Sequence, residues 1–150
     1  SVRPLRTTPT AAVMRSMSRL ALFCFAVAVL VAPVAAQQRA GEQGVLSKSG
    51  RLLLSYSSEL VPIQINTIHN WVLHVELSTG EVVENAQISM AGGMTEHDHG
   101  LPTAPRMTRY LGDGDYLMEG VRFHMNGRWV VTVQVDYGEL SDSVVFELEI

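Results

Sequence analysis

Cysteine is almost missing from this chain: 150 residues hold one, Cys24. That excludes an intrachain disulfide framework and a Cys-rich zinc module. Catalytic signatures are missing too. There is no Gly-x-Ser-x-Gly elbow, no His-Glu-x-x-His and no glycine loop that would cradle phosphate. Gly112-x-Gly114 falls in a turn pattern, so it is no dinucleotide fingerprint. Acidic residues are plentiful, yet no pair stands out as general acid and base. These absences argue against an enzyme. No segment carries a sustained 3.6-residue apolar stripe, which argues against helices. Positive charge is scarce after residue 36. Residues 37–150 hold seven Lys and Arg against fifteen Asp and Glu, a net of −8. An acidic domain repels phosphate backbones, which excludes nucleic acid as a partner.

Residues 1–36 have the opposite character, with Arg3, Arg6, Arg15 and Arg19 and no acid. Leu20 to Ala36 is an uncharged run of 17 residues closing on Ala32-Pro33-Val34-Ala35-Ala36. A basic start, an apolar middle and a small-residue end describe a secretory signal peptide over 1–36, cut after Ala36. Met14 or Met17 fits the natural start, which makes the residues before them an over-extended N-terminus. The alternative is an uncleaved membrane anchor. Seventeen helical residues span about 25 Å, however, short of the ~30 Å hydrocarbon core. A lipoprotein is disfavoured because bulky Phe23 precedes Cys24. The expected location is the periplasm or the exterior, and the expected mature chain has no thiolate for a metal site.

Residues 37–50 are polar, Gly-rich and aperiodic, as in a flexible leader. From 51 to 150, short β-rich runs alternate with turn signals. Leu52 to Tyr56 is a first strand. Pro62 to Leu77 alternates with a period of two, with Ile63, Ile65, Thr67, His69, Trp71, Leu73, Val75 and Leu77 on one face. Glu81 to Met90 continues extended, 91–106 reads as a long loop, and Met107–Leu111 and Tyr116–Val121 flank a tight Gly112–Asp115 turn. Trp129, Val131, Val133 and Val135 mark a strong strand, and Val144, Phe146, Leu148 and Ile150 another. About seven antiparallel strands in some 100 residues predict an all-β, immunoglobulin-like sandwich, with a small barrel as the alternative. Trp71 and Trp129 are its expected core anchors.

The segment from Met90 to Pro105 stands apart. It holds His97 and His99, which in an extended chain point to one side about 7 Å apart. Met94 lies three residues before His97, where a Gly92-Gly93 turn brings its thioether to the same point. Met107 and Met125 are further candidate ligands. Thioether is soft and selects Cu(I), and imidazole suits copper and zinc. Zinc more usually recruits Cys or carboxylate, and Glu96 and Asp98 alternate with the histidines. A thiolate-free Met/His site therefore points to copper, Cu(I) above all. Pro102 and Pro105 stiffen the loop behind it. The competing reading of His97-Asp98-His99-Gly100 is ordinary solvated turn. His69 shares the parity of Trp71; it reads as a buried, hydrogen-bonded histidine or as another ligand. His74 and His124 fall on the polar parity and read as solvated. Met90 and Met118 read as core, and Asp113 and Asp115 as turn residues.

The string Gly92-Gly93-Met94-x-Glu96-His97-Asp98-His99-Gly100-Leu101-Pro102-Thr103-x-Pro105 resembles the signature loop of YtkA-like domains, relatives of FixH-like proteins. The resemblance continues through His69-Asn70-Trp71, Gly114-Asp115-Tyr116 and Gly120-Val121-x-Phe123-x-Met125-x-Gly127-x-Trp129, over roughly residues 60–137. It implies an exported or membrane-anchored immunoglobulin-like sandwich, in a family linked to copper handling and respiratory oxidases. Met94, His97 and His99 match that loop's potential ligands, and Met125 matches the Met before Gly-x-Trp. Thr95 stands where the family mostly has Pro, which leaves the His pair but loosens the loop. Two functions follow as expectations. One is a Cu(I)-binding module serving a copper-accepting protein. The other is a metal-free interaction or assembly module for a membrane respiratory complex.

Overall fold

The computed structural model of the chain describes residues 44–150. The expected signal segment, with Cys24, and residues 37–43 of the expected leader lie outside the described residues. Among the described residues every regular element is a strand: β1 (Val45–Leu46), β2 (Leu52–Ser58), β3 (His69–Leu77), β4 (Gln87–Met94), β5 (His99–Gly100), β6 (Arg106–Gly112), β7 (Asp115–Val121), β8 (Arg128–Tyr137) and β9 (Leu140–Glu149). Seven of these have seven residues or more, and β1 and β5 have two each.

All pairings are antiparallel, in the order β1-β2-β3-β7-β6-β4-β8-β9, with β5 hung on β4. The link between β6 and β4 is a single residue pair, Ser89 with Arg106. There the ladder folds over and makes two layers. At the other margin Lys48 N–H donates to the Ser143 carbonyl at 2.8 Å, tying the end of β1 to β9. The result is the expected immunoglobulin-like β-sandwich, nearly closed.

Period-two patterning decides which face is inside. Leu52, Leu54 and Tyr56 of β2, Trp71, Leu73 and Val75 of β3, and Trp129, Val131, Val133 and Val135 of β8 are buried while their neighbours are not. Each such side chain contributes about 1.5–3 kcal/mol on leaving water. Aromatic rings join the layers: Tyr56 stacks on Trp71 at 4.1 Å and meets Phe146 of β9 edge-on at 5.0 Å. Tyr116 adds a polar tie. Its buried hydroxyl donates to the Val83 carbonyl at 2.7 Å and accepts from Ala86 N–H at 3.1 Å, pinning the β3–β4 connection.

Two segments depart from the sequence reading. Residues 44–50, expected as leader, join the domain. Val45 and Leu46 pair with Leu54 and Leu53, and Ser47 is buried. Ser49 donates its backbone N–H and its hydroxyl to the Asp142 carboxylate. Burial alone would raise the Asp142 pKa, but hydrogen bonds from Ser47, Ser49 and the Ser143 backbone outweigh it and bring the group down to about 2. Polarity here marks a satisfied buried network, not a tether. The long strand expected over 62–77 begins only at His69. Asn66 adopts a left-handed φ of 60° and gives its N–H to the Phe123 carbonyl at 2.7 Å. The apolar alternation before it continues in a loop, where Val61 and Ile68 are exposed.

Candidate metal site

The expected long loop over 91–106 is mostly a hairpin. Gly92 and Gly93 lie inside β4, Met94 pairs with His99, and only Thr95 to Asp98 turn. The Met94 carbonyl accepts the His97 N–H at 3.4 Å, and Asp98 takes a left-handed φ of 48°. A four-residue hairpin loop of this kind commonly contains a turn closed by a left-handed residue, a role Asp fills readily. Glycine reads as a chain breaker in sequence, but these two are required by close packing. A Cβ on Gly92 would meet Leu101 and Val131 at 3.1–3.3 Å, and one on Gly93 would meet the His99 carbonyl oxygen at 3.0 Å. Ala91 and Gly93 also leave a shallow groove of about 430 Å³ beside the hairpin, with Thr95, Asp98, Val130 and Thr132 on its walls.

His97 and His99 are both exposed, and their ring centroids lie 6.5 Å apart. They come together through the turn rather than through extended backbone. Met94, by contrast, is buried. It is 4% exposed, and its terminal methyl lies 2.9 Å from where a Gly127 Cβ would stand. Because antiparallel partners project to one side of a sheet, Met94 and His99 share the inner face at the open end of the sandwich. Met125 is half-buried, and its carbonyl accepts the Trp129 Nε1–H at 3.0 Å. Met107 is half-buried against the core and pairs with Met118 across β6 and β7.

His69 is a structural residue in this arrangement. Its Nε2 accepts the Trp71 indole N–H at 3.1 Å, so the ring proton is on Nδ1, which donates to the Thr67 carbonyl at 3.1 Å. Both nitrogens are committed, and no lone pair is left for a metal. The inward parity of His69 correctly marked burial; its ligand role does not fit these bonds.

One residue at the site departs from its sequence pattern. His124, expected to be solvated, packs edge-on against His99 with ring centroids 5.8 Å apart and edge-on against Trp129 at 5.5 Å. Its Nδ1 is sealed from solvent and has no hydrogen-bond partner. Strand parity misplaced it because β7 ends at Val121, so a period of two no longer governs residue 124. Charges flank the cluster. Glu96 and Asp98 are on the turn, and Arg128, paired with Glu147, stands on β8. The Arg128 pKa is raised, first by the hydrogen bond it donates to the Glu147 carboxylate and more weakly by the charge of Glu96.

A metal–imidazole bond of about 2.0–2.1 Å sets a ring centroid about 3.2 Å from the ion, so two rings on one ion lie at most about 6.4 Å apart. The His97–His99 pair, at 6.5 Å, is just outside that limit, and the His99–His124 pair, at 5.8 Å, is inside it. Neutral imidazole and thioether donors fit Cu(I). Among the described residues, no group of three or more His, Cys, Asp or Glu is arranged to hold a metal ion.

No curated protein matches the chain. Among solved structures, it is similar to a DUF4426 family protein from Pseudomonas aeruginosa PAO1, with 19% identity and a TM-score of 0.48 over 67% of this chain and 91% of that one. The model of the YtkA-like family matches residues 55–134, more than half of the sequence and every strand from β3 to β7. The hairpin with Met94, His97 and His99, and the Met125–Trp129 segment that closes over it, both lie inside that match, and the chain belongs to the YtkA-like family.

Proposed function

We propose that this chain is an exported, non-enzymatic Cu(I)-binding protein that holds the ion at the β4–β5 hairpin and passes it to an accepting protein. The observation that carries the reading is the exposed His97–His99 pair, 6.5 Å apart, with buried Met94 as the register partner of His99. Imidazole and thioether are neutral donors that favour Cu(I) over harder ions. Residues 44–150 contain no cysteine, so the site can work in an oxidising compartment without disulfide chemistry. An exposed hairpin tip leaves the ion open to an incoming ligand from an acceptor, which suits transfer rather than burial. Met125 and Met107 are the reserve thioethers. The basic-then-apolar segment 1–36 supports export to the periplasm or beyond, with membrane anchoring as the alternative. A respiratory membrane complex is the acceptor that the family resemblance suggests.

A second reading, a metal-free assembly module, draws on exposed Val61 and Ile68. Competition for Cu(I) against a chromophoric chelator separates the two. The purified chain is expected to bind one ion, and the His97→Ala/His99→Ala variant to lose it with its far-UV circular dichroism unchanged. No competition, or binding that survives in the variant, would sink the copper reading and leave docking as the function.

A further inference from the structure

We infer that His124 is a metal ligand of this site, and that together with His99 it forms the primary imidazole pair, with His97 secondary. The inference rests on the Cu(I) reading above and extends it to a residue on a different segment of the chain.

Three observations converge on His124. The first is distance. Its ring centroid is 5.8 Å from that of His99, inside the limit of about 6.4 Å for two imidazoles sharing one ion, whereas His97 and His99 at 6.5 Å need a small rotation. The second is an unmet bond. Neutral imidazole carries one N–H and one lone pair, and each normally finds a partner. The His124 Nδ1 is buried with none. A buried polar group left without a partner is unfavourable where it stands. His69, which packs against Phe123, has both nitrogens satisfied, and the one other buried side-chain nitrogen or oxygen without a partner among the described residues is Arg122 Nε, two residues before His124. The third is support. The ring is held edge-on against Trp129, whose own indole N–H is tied to the Met125 carbonyl. Gly127, in the same connection, exchanges two backbone hydrogen bonds with Ile150 at 2.9 and 3.0 Å. His124 therefore comes from a braced segment, as a preorganised ligand should.

The consequence is a site made by tertiary structure. Hairpin and β7–β8 connection meet only when the sandwich is folded, and the ion then clamps the two together. His99 is the hub, because it alone has ring contacts with both other histidines. Trp129 is a built-in reporter, since its ring lies 5.5 Å from that of His124.

The test uses the full chain with Cu(I), and with Ag(I) as a redox-inert probe. His124→Phe keeps an aromatic ring on Trp129 and removes both nitrogens; His124→Gln is the second variant should the ring prove too large. Loss of a group that only hydrogen-bonds a metal ligand typically weakens metal binding by about 10–100-fold, so loss of a ligand itself is expected to cost at least tenfold. Affinity is expected to fall most for His99→Ala, next for the His124 variants and least for His97→Ala. Independently, Ag(I) is expected to shift the ring nitrogen resonances of His124 and His99 together and to quench Trp129 fluorescence. Undiminished Cu(I) affinity in both His124 variants, with only His97 and His99 resonances moving, would overturn the inference and leave the hairpin reading intact. No binding of either ion by the wild-type chain would overturn both.

Discussion

Replacing Tyr116 by Phe tests how the sandwich holds the strands that carry the site. The ring is fully buried, and Phe preserves its apolar contacts. What disappears is one hydroxyl that serves two backbone groups, the Val83 carbonyl at 2.7 Å and the Ala86 N–H at 3.1 Å. Val83 and Ala86 are themselves buried, so water cannot take the hydroxyl's place. Each buried polar group stripped of its partner costs about 1–3 kcal/mol. The variant recovers part of this because it no longer desolvates a hydroxyl, which leaves a net loss of about 2 kcal/mol. For a domain of this size that corresponds to about 8 °C or more in Tm. Urea unfolding followed by tryptophan fluorescence gives the quantity directly: the midpoint should fall while the slope stays constant. Tyr110→Phe is the internal control. Its hydroxyl accepts one bond, from Gly114 N–H at 3.1 Å, at a half-buried position, and about 1 kcal/mol or less is expected. Tyr116→Phe within 0.5 kcal/mol of wild type, or no worse than the control, would refute the claim that this hydroxyl pins the β3–β4 connection.

Gly127→Ala is expected to destabilise by about 1–3 kcal/mol, since an L-residue is strained at its φ of 127°. The new methyl also approaches the Met94 terminal methyl at 2.9 Å. A double-mutant cycle with Met94→Ala checks this, and a coupling of zero would mean that the two do not press on each other. Asp142 predicts an acid limb. Its pKa is lowered in the folded domain to about 2, from an ordinary 3.8, so its contribution is complete above about pH 4 and is lost as pH falls toward 2. Thermal unfolding of wild type and Asp142→Asn across that range should show the variant less stable at neutral pH and flatter below pH 4; parallel curves would refute this.

Period two was legible wherever a strand buried one face. Trp129 to Val135 and Trp71 to Val75 follow it residue by residue, because each faces packed rings and solvent alternately. The same rule overran at both ends of the site. It carried a strand back through Ile63 and Ile65, where Asn66 turns the backbone away to reach Phe123. It also assigned His124 to solvent, three residues past the end of β7, where the chain had stopped alternating. Gly92 and Gly93 produced the complementary error, since sequence does not distinguish a glycine that breaks a strand from one that lets two strands approach closely. The His97–His99 pair and Met94 were legible because they are local. The third imidazole was not, because its place depends on which connection lies over which hairpin. A Met/His string alone describes a flexible chelating loop, with all of its ligands within six residues. The folded domain adds a braced imidazole 25 residues further on, together with the tryptophan that holds it. The two arrangements differ in what unfolding does to affinity. A local loop keeps most of its binding when the sandwich is loosened by Tyr116→Phe and mild urea, whereas a site shared between hairpin and connection loses its binding along the unfolding curve.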